Sequence, residues 1–169
     1  MSETKFTVLD DKTTLVVERV FPASRERVWK AWTTPEVFVQ WWGPKGWVTQ
    51  VKKMDFKEGG QLHYGMKCED PEQTDWYGKT SWGLSTYNEI NPQDSFKYID
   101  EFCDENAVVA PNMPAMDISM EFVKQDGSTK VISTSIFSSP AELEQVIEMG
   151  MQEGLTQTWD RLEEILTEK

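Results

Sequence analysis

Few residues in this sequence have the type and spacing to do chemistry. His63 is the single histidine. It sits in a segment where Leu62, Tyr64, Met66 and Cys68 alternate with Gln61, His63, Gly65 and Lys67. That period of two turns His63 away from the apolar face of a strand, where a lone imidazole is more often ordinary surface than a general base. Cys68, Cys103 and His63 lack the local spacing that gathers three or four zinc ligands, so no metal is expected. No nucleophile elbow, phosphate loop or dinucleotide fingerprint occurs, and no cofactor is expected. Glu58, Glu89 and Glu101 would serve as acids only if buried, and carboxylates in turns and strands are mostly solvated. No catalytic set emerges.

What stands out instead is the load of eight Trp, eight Phe, four Tyr and eight Met. Most of these must form core, because aromatic rings dominate burial and Met fills irregular gaps. The same types also line small-molecule cavities, in which a few polar tips fix the ligand. The candidate cavity lining is Tyr64, Met66, Trp82, Tyr98, Met120, Phe122, Met151 and Leu155.

These side chains need elements to hold them. Thr13 to Val20 reads as a strand from its β-branched content. Ser24 then caps a short helix with Val28, Ala31 and Trp32 on one face, and Thr34-Pro35-Glu36 starts a second. Trp47 to Phe56 and Gln61 to Cys68 form a hairpin across Glu58-Gly59-Gly60. Further strands are expected at Trp76 to Ile90, Ser95 to Cys103, Asp117 to Lys124 and Thr129 to Phe137, joined by links too short for parallel crossovers. Ser139-Pro140-Ala141-Glu142 is a capping box. After it Leu143, Val146, Ile147, Met151, Leu155, Trp159 and Leu162 repeat at threes and fours, so one long helix carries an apolar stripe that needs a sheet to cover it. Gly150 and Gly154 on or beside the stripe predict close approach or open space. The expected fold is therefore α+β: about seven curved antiparallel strands, two short helices after the first, and a long C-terminal helix packed across the sheet.

The length of 169 residues suits one domain over 1–169, with 1–12 a loose N-terminus. The connection 104–115 is long and carries Ala107-Val108-Val109-Ala110, which predicts either a lid folding over a cavity mouth or a merely mobile insertion. Lys plus Arg total 17 against 29 Asp plus Glu, and a net charge of −12 repels phosphate backbones and anionic lipid. Nucleic acid is not an expected partner. No basic leader followed by an apolar stretch opens the chain, and no run reaches the length that crosses a bilayer, which predicts no membrane insertion and a cytoplasmic protein. Two cysteines without redox spacing fit a reducing compartment as small core hydrophobes.

In combination, several segments are specific: Arg19-Val20-Phe21-Pro22-Ala23, Val28-Trp29-Lys30-Ala31-Trp32-Thr33-Thr34-Pro35-Glu36, Gln40-Trp41-Trp42-Gly43-Pro44, Gly59-Gly60, and Glu153-Gly154-Leu155 leading to Trp159-Asp160-Arg161-Leu162. In their order and spacing the chain resembles the START-like, birch-pollen-allergen-like superfamily of helix-grip proteins. The nearest branch is the one related to the C-terminal domain of the activator of the ninety-kilodalton heat-shock chaperone's ATPase. Two departures stand out: Pro22-Ala23 replaces the usual Ala-Pro, and Leu155 replaces a Trp, with Trp159 offered to supply the lost bulk. The resemblance implies a deep apolar cavity between sheet and last helix. It implies, in order of preference, binding of a small hydrophobic molecule, a co-chaperone-like module that binds a chaperone, or a cyclase- or hydrolase-like enzyme. The full eukaryotic activator's separate N-terminal domain is not seen in this chain, which weakens the second reading, and fold alone does not choose among the three.

Overall fold

The computed structural model describes residues 1–168 and contains eight strands and four helices. The strands are β1 (Lys5–Val8), β2 (Thr14–Phe21), β3 (Trp47–Met54), β4 (Gln61–Cys68), β5 (Thr80–Asn91), β6 (Ser95–Cys103), β7 (Ala115–Gln125) and β8 (Ser128–Ile136). They form one sheet in the order β1-β2-β8-β7-β6-β5-β4-β3, with every neighbouring pair antiparallel. The helices are α1 (Arg25–Thr33), α2 (Pro35–Trp41), α3 (Pro140–Glu148) and α4 (Met151–Thr167). This is the α+β helix-grip arrangement, with one strand more than the pattern predicts. The extra strand, β1, lies inside the segment expected to be loose. It pairs with β2 through Lys5↔Glu18 to Val8↔Leu15.

Local chemistry sets the helix ends. The Ser24 hydroxyl accepts from the Arg27 amide and the Ser139 hydroxyl from the Glu142 amide, each satisfying a donor the helix leaves free. Thr34 occupies the cap position of α2, but its side chain makes no capping bond, and Pro35 at the first turn does the work of starting the helix. The single long C-terminal helix is in fact two. Gly150 adopts φ 88°, a left-handed conformation that costs a side-chain-bearing residue energy, and the chain bends there between α3 and α4. The apolar stripe runs across the bend, which is why periodicity alone reads it as continuous.

The helices cover the concave face of the sheet unevenly. Beneath α1 the space is filled by rings: Trp29 meets Phe56, Phe96 and Phe122 edge-on at centroid distances of 5.7, 5.7 and 5.1 Å. Trp32 continues the cluster to Trp41, Phe122 and Trp159. Edge-to-face packing of this kind adds to the burial of apolar area. α4 is tied down by charge. The Arg19 side chain is fully buried, pairs with Asp160 at 2.7 Å and Glu163 at 3.1 Å, and Glu163 also accepts from the Ser2 amide. Between those two acids, the Arg161 guanidinium donates to the carbonyls of Gly43 and Trp47 at 2.8 and 3.1 Å, fixing the α2–β3 loop.

Removing one member of a buried ion pair leaves the other charge desolvated and alone. Arg19→Met is therefore expected to destabilise the protein by about 3 kcal/mol in urea unfolding. Arg19→Met combined with Glu163→Leu should recover most of that loss; a double variant no more stable than the single one contradicts the pairing.

Candidate functional site

A chamber of about 160 Å³ lies between the sheet and the α3–α4 pair. Its floor comes from adjacent inward rows of the sheet. One row is Tyr98, Ile118, Ser135 and Leu15, and the next is Met120, Ser133 and Val17. Its roof is Val146 of α3 with Met151, Leu155 and Trp159 of α4, and Trp32 and Trp42 close one side. The bend at Gly150 sets α3 and α4 at different tilts over this floor, while the ring cluster under α1 leaves no equivalent space at the other end.

One charged side chain reaches the chamber. Asp100 stands on β6 in phase with Phe96, Tyr98 and Phe102, so strand alternation turns its carboxyl inward. Part of its surface remains accessible, but the space it faces is the chamber and two small pockets beside it. Asp100 Oδ1 accepts from Ser85 Oγ at 2.9 Å, directly opposite on β5, and from the Tyr64 hydroxyl at 3.3 Å. Tyr64 comes from β4, two strands away, and can span the gap because Gly83 lies between. A Cβ at Gly83 would meet the Tyr64 ring at 2.4 Å.

Burial raises the Asp100 carboxyl from its ordinary 3.8 to about 7, outweighing the hydrogen bonds from Ser85 and Tyr64 that favour the ionised form; the charge of Glu101 adds to the rise. Burial foremost, then the nearness of Asp100, also pushes the Tyr64 and Tyr98 phenols well above their usual range, so both stay neutral donors. The indole N–H of Trp42 is buried without a hydrogen-bond partner among the described residues. The site thus offers an apolar, aromatic enclosure with one carboxyl poised near neutrality and an unused N–H donor.

A wider cleft of about 590 Å³ opens beside it. Pro44, Trp47, Trp76, Met113, Met149 and Glu153 contribute to its walls, and it shares Met66, Ser81 and Phe102 with a small pocket that reaches Asp100. Gly154 of α4 faces Pro44 here, where a Cβ would sit 3.5 Å from the proline ring.

The predicted lining separates into groups. Tyr98, Met120, Met151 and Leu155 face the chamber, Tyr64 borders it, and Met66 lines the outer cleft. Phe122 is packed in the ring cluster under α1. Trp82 has its ring on the opposite face of the sheet, 5.2 Å from His63 and beneath Lys52 Nζ at 4.9 Å. Its neighbours Gly83 and Ser85 are the inward residues of β5. His63 points outward as alternation requires but is buried, with Nε2 3.0 Å from the Asp104 carbonyl. The loop that follows β6 is accordingly folded back rather than laid over the chamber. Lys52 donates to the Glu105 carbonyl, the Asp104 carboxylate accepts from the amides of Asn106 and Val108, and Ala110 bonds back to Phe102. Only Met113 of this loop reaches the cleft.

Glu58 accepts from the Ile90 amide, Glu89 pairs with Lys97, and Glu101 faces away from the chamber across from Leu84, so none of the three is the chamber's acid. Asp100 escaped notice although Phe96-x-Tyr98-x-Asp100-x-Phe102 carries the signal: an acid in phase with aromatic positions on a strand. Cys68 and Cys103 are both free. Among the described residues no cluster of His, Cys, Asp or Glu is placed to hold a metal ion, and no helix is long and apolar enough to cross a membrane.

The model of the family described as Activator of Hsp90 ATPase homolog 1-like protein matches residues 22–167. Among solved structures, a protein of Mycobacterium smegmatis is similar over 100% of this chain and 99% of its own, at 24% identity and a TM-score of 0.88. A protein of Arthrobacter aurescens is 23% identical over 99% and 92%, with a TM-score of 0.85. One from Staphylococcus epidermidis is 27% identical over 95% and 93%, with a TM-score of 0.80. At such identities these structures share the fold. No curated protein matches the chain.

Because the Asp100 carboxyl keeps its proton to about pH 7 when folded but releases it near its ordinary 3.8 when unfolded, its contribution to stability is complete below that lower value. It is lost as pH rises through 7. Wild type should therefore lose stability relative to Asp100→Asn across that window, by up to ~1.4 kcal/mol per pH unit. Parallel pH–stability curves for the two proteins would contradict the burial of this acid.

Proposed function

Since this chain belongs to the Activator of Hsp90 ATPase homolog 1-like family, within the START-like superfamily, we propose that it encloses a small, mainly apolar molecule between the sheet and the C-terminal helices. The observation that carries this reading is the chamber itself, a mainly apolar space of about 160 Å³ in a core that elsewhere is filled by interlocking rings. Protein interiors are packed at crystal-like density, so a hollow of this size forfeits contacts that a ligand restores. An apolar cavity of roughly 150 Å³ accepts a molecule about the size of benzene, which sets the scale of the occupant.

Three details support ligand entry over a packing defect. The outer cleft leads toward the chamber through Met66, Ser81 and Phe102. The methionines 66, 116, 120 and 151 line cleft and chamber with side chains that adapt to different shapes. The unpaired Trp42 N–H and the Asp100 carboxyl provide the few polar tips by which such sites orient their occupants.

The experiment is a thermal-shift and calorimetric screen of compounds of one aromatic ring or a comparable branched aliphatic body. Binding to the folded state alone raises the melting temperature with ligand concentration. Ser135 is buried on the inward side of β8, so Ser135→Leu places a branched side chain in the chamber. It is expected to stay folded and to abolish the ligand-induced shift. Undiminished binding by the variant would place the ligand elsewhere, and no binding by the wild-type protein would turn the search to a protein partner such as the chaperone in the family's name.

A further inference from the structure

The chamber leaves its one carboxyl without a positive partner. Elsewhere in the chain a buried charge is compensated, as where Arg19 meets Asp160 and Glu163. Around Asp100 the donors among the described residues are the hydroxyls of Ser85 and Tyr64. No Lys, Arg or His lines the chamber or either small pocket bordering Asp100 among the described residues. A carboxylate removed from water must be paired or else take up a proton. Holding the proton is the solution of the empty chamber.

We propose that the ligand's polar end is an ammonium group set against Asp100, so that the chamber selects small aromatic or branched aliphatic amines over neutral or acidic compounds of the same shape. This deepens the small-molecule reading above and rests on it. The walls favour the same choice: Trp32, Trp42, Trp159 and Tyr98 surround the space, and a cation is attracted to the face of an aromatic ring, most strongly where water is excluded. The approach favours it too. Glu153 is the one charged residue lining the outer cleft, and a protein of net charge −12 concentrates cations at its surface and repels anions.

Binding and proton release are then one event. An arriving ammonium stabilises the ionised carboxyl, and the proton held by Asp100 leaves to solvent. The groups that face Asp100 do not obscure this. Tyr64 on β4, Tyr87 on β5 and Tyr98 on β6 have phenols raised away from neutrality, and so has the Cys103 thiol, to about 11; Glu101 lies on the opposite face. β7 presents Met116, and the helices present Trp32, Trp42, Met151 and Leu155, none of which titrates. Alkylammonium groups remain charged through neutral pH, so Asp100 governs the pH dependence.

The test compares four molecules that share one ring: benzylamine, benzyl alcohol, toluene and benzoate, by isothermal titration calorimetry on the full chain. Benzylamine is expected to bind at least about tenfold more tightly than toluene or benzyl alcohol at mildly alkaline pH, to weaken by up to about tenfold per pH unit below 7, and in that lower range to release a proton measurable as buffer-dependent heat. Benzoate is expected not to bind. Asp100→Asn should cut the preference for benzylamine over toluene about tenfold or more. If toluene or benzyl alcohol binds as well as benzylamine at mildly alkaline pH, or benzylamine binds below pH 7 without releasing a proton, the ammonium assignment falls while the chamber reading stands. If none of the four binds, the chamber reading fails and takes the ammonium with it. Should Asp100→Asn not fold, the pH dependence and buffer heats of wild type decide the question.

Discussion

A broad antiparallel sheet with one apolar face must find cover for that face, and most of this structure follows from how the cover is supplied. Eight strands curve around a single concave surface, and the described residues lay four helices over it. The pair after β2 does so with bulk: Trp29 and Trp32 reach into the sheet and meet Phe96 and Phe122 ring to ring. The C-terminal pair does so with reach, stretching α3 and α4 across β8, β7 and the chamber they roof. Because α3 and α4 meet at a left-handed Gly150, they bridge the concavity instead of filling it, and the chamber is the space left under the bridge.

Such a bridge needs abutments, and the two arginines of this region supply them. Arg19 rises from β2 to hold Asp160 and Glu163, while Arg161 reaches down to the carbonyls of the α2–β3 loop. The first fixes the helix over the sheet; the second fixes the loop that carries Pro44 and Trp47 at the rim of the outer cleft. The anchoring of the roof and of the cleft's rim thus depends on a single turn of one helix. With the roof held from both sides, Asp100 faces a largely apolar space, and burial there raises its carboxyl to about 7.

Much of this was legible in the residues, for reasons that are local. The caps at Ser24 and Ser139, the boundaries of β4 and β6 and the antiparallel connectivity all follow from short-range rules of hydrogen bonding and chain length. The missed features depend on something distant. β1 has only four residues and gains its place by pairing with β2. The phase of β5 misled because its outward residues, Trp82 and Leu84, are more apolar than the inward Gly83 and Ser85. The outer Trp82 is there to cover Gly65 and His63, and the inward positions stay small to admit the Tyr64 ring. Asp100 was hidden by a general expectation that carboxylates are solvated, and the aromatic residues on either side of it in alternation were the contrary sign.

The account turns on a carboxyl that is neutral or charged according to what shares its chamber. The most direct measurement is the titration of the Asp100 side-chain carboxyl by carbon-13 NMR in the ligand-free protein, assigned by its disappearance in Asp100→Asn. A midpoint close to 7 is the predicted result. A midpoint at the ordinary aspartate value near 3.8 would mean that Asp100 is solvated, and the chamber would hold no neutral carboxyl for a ligand to ionise.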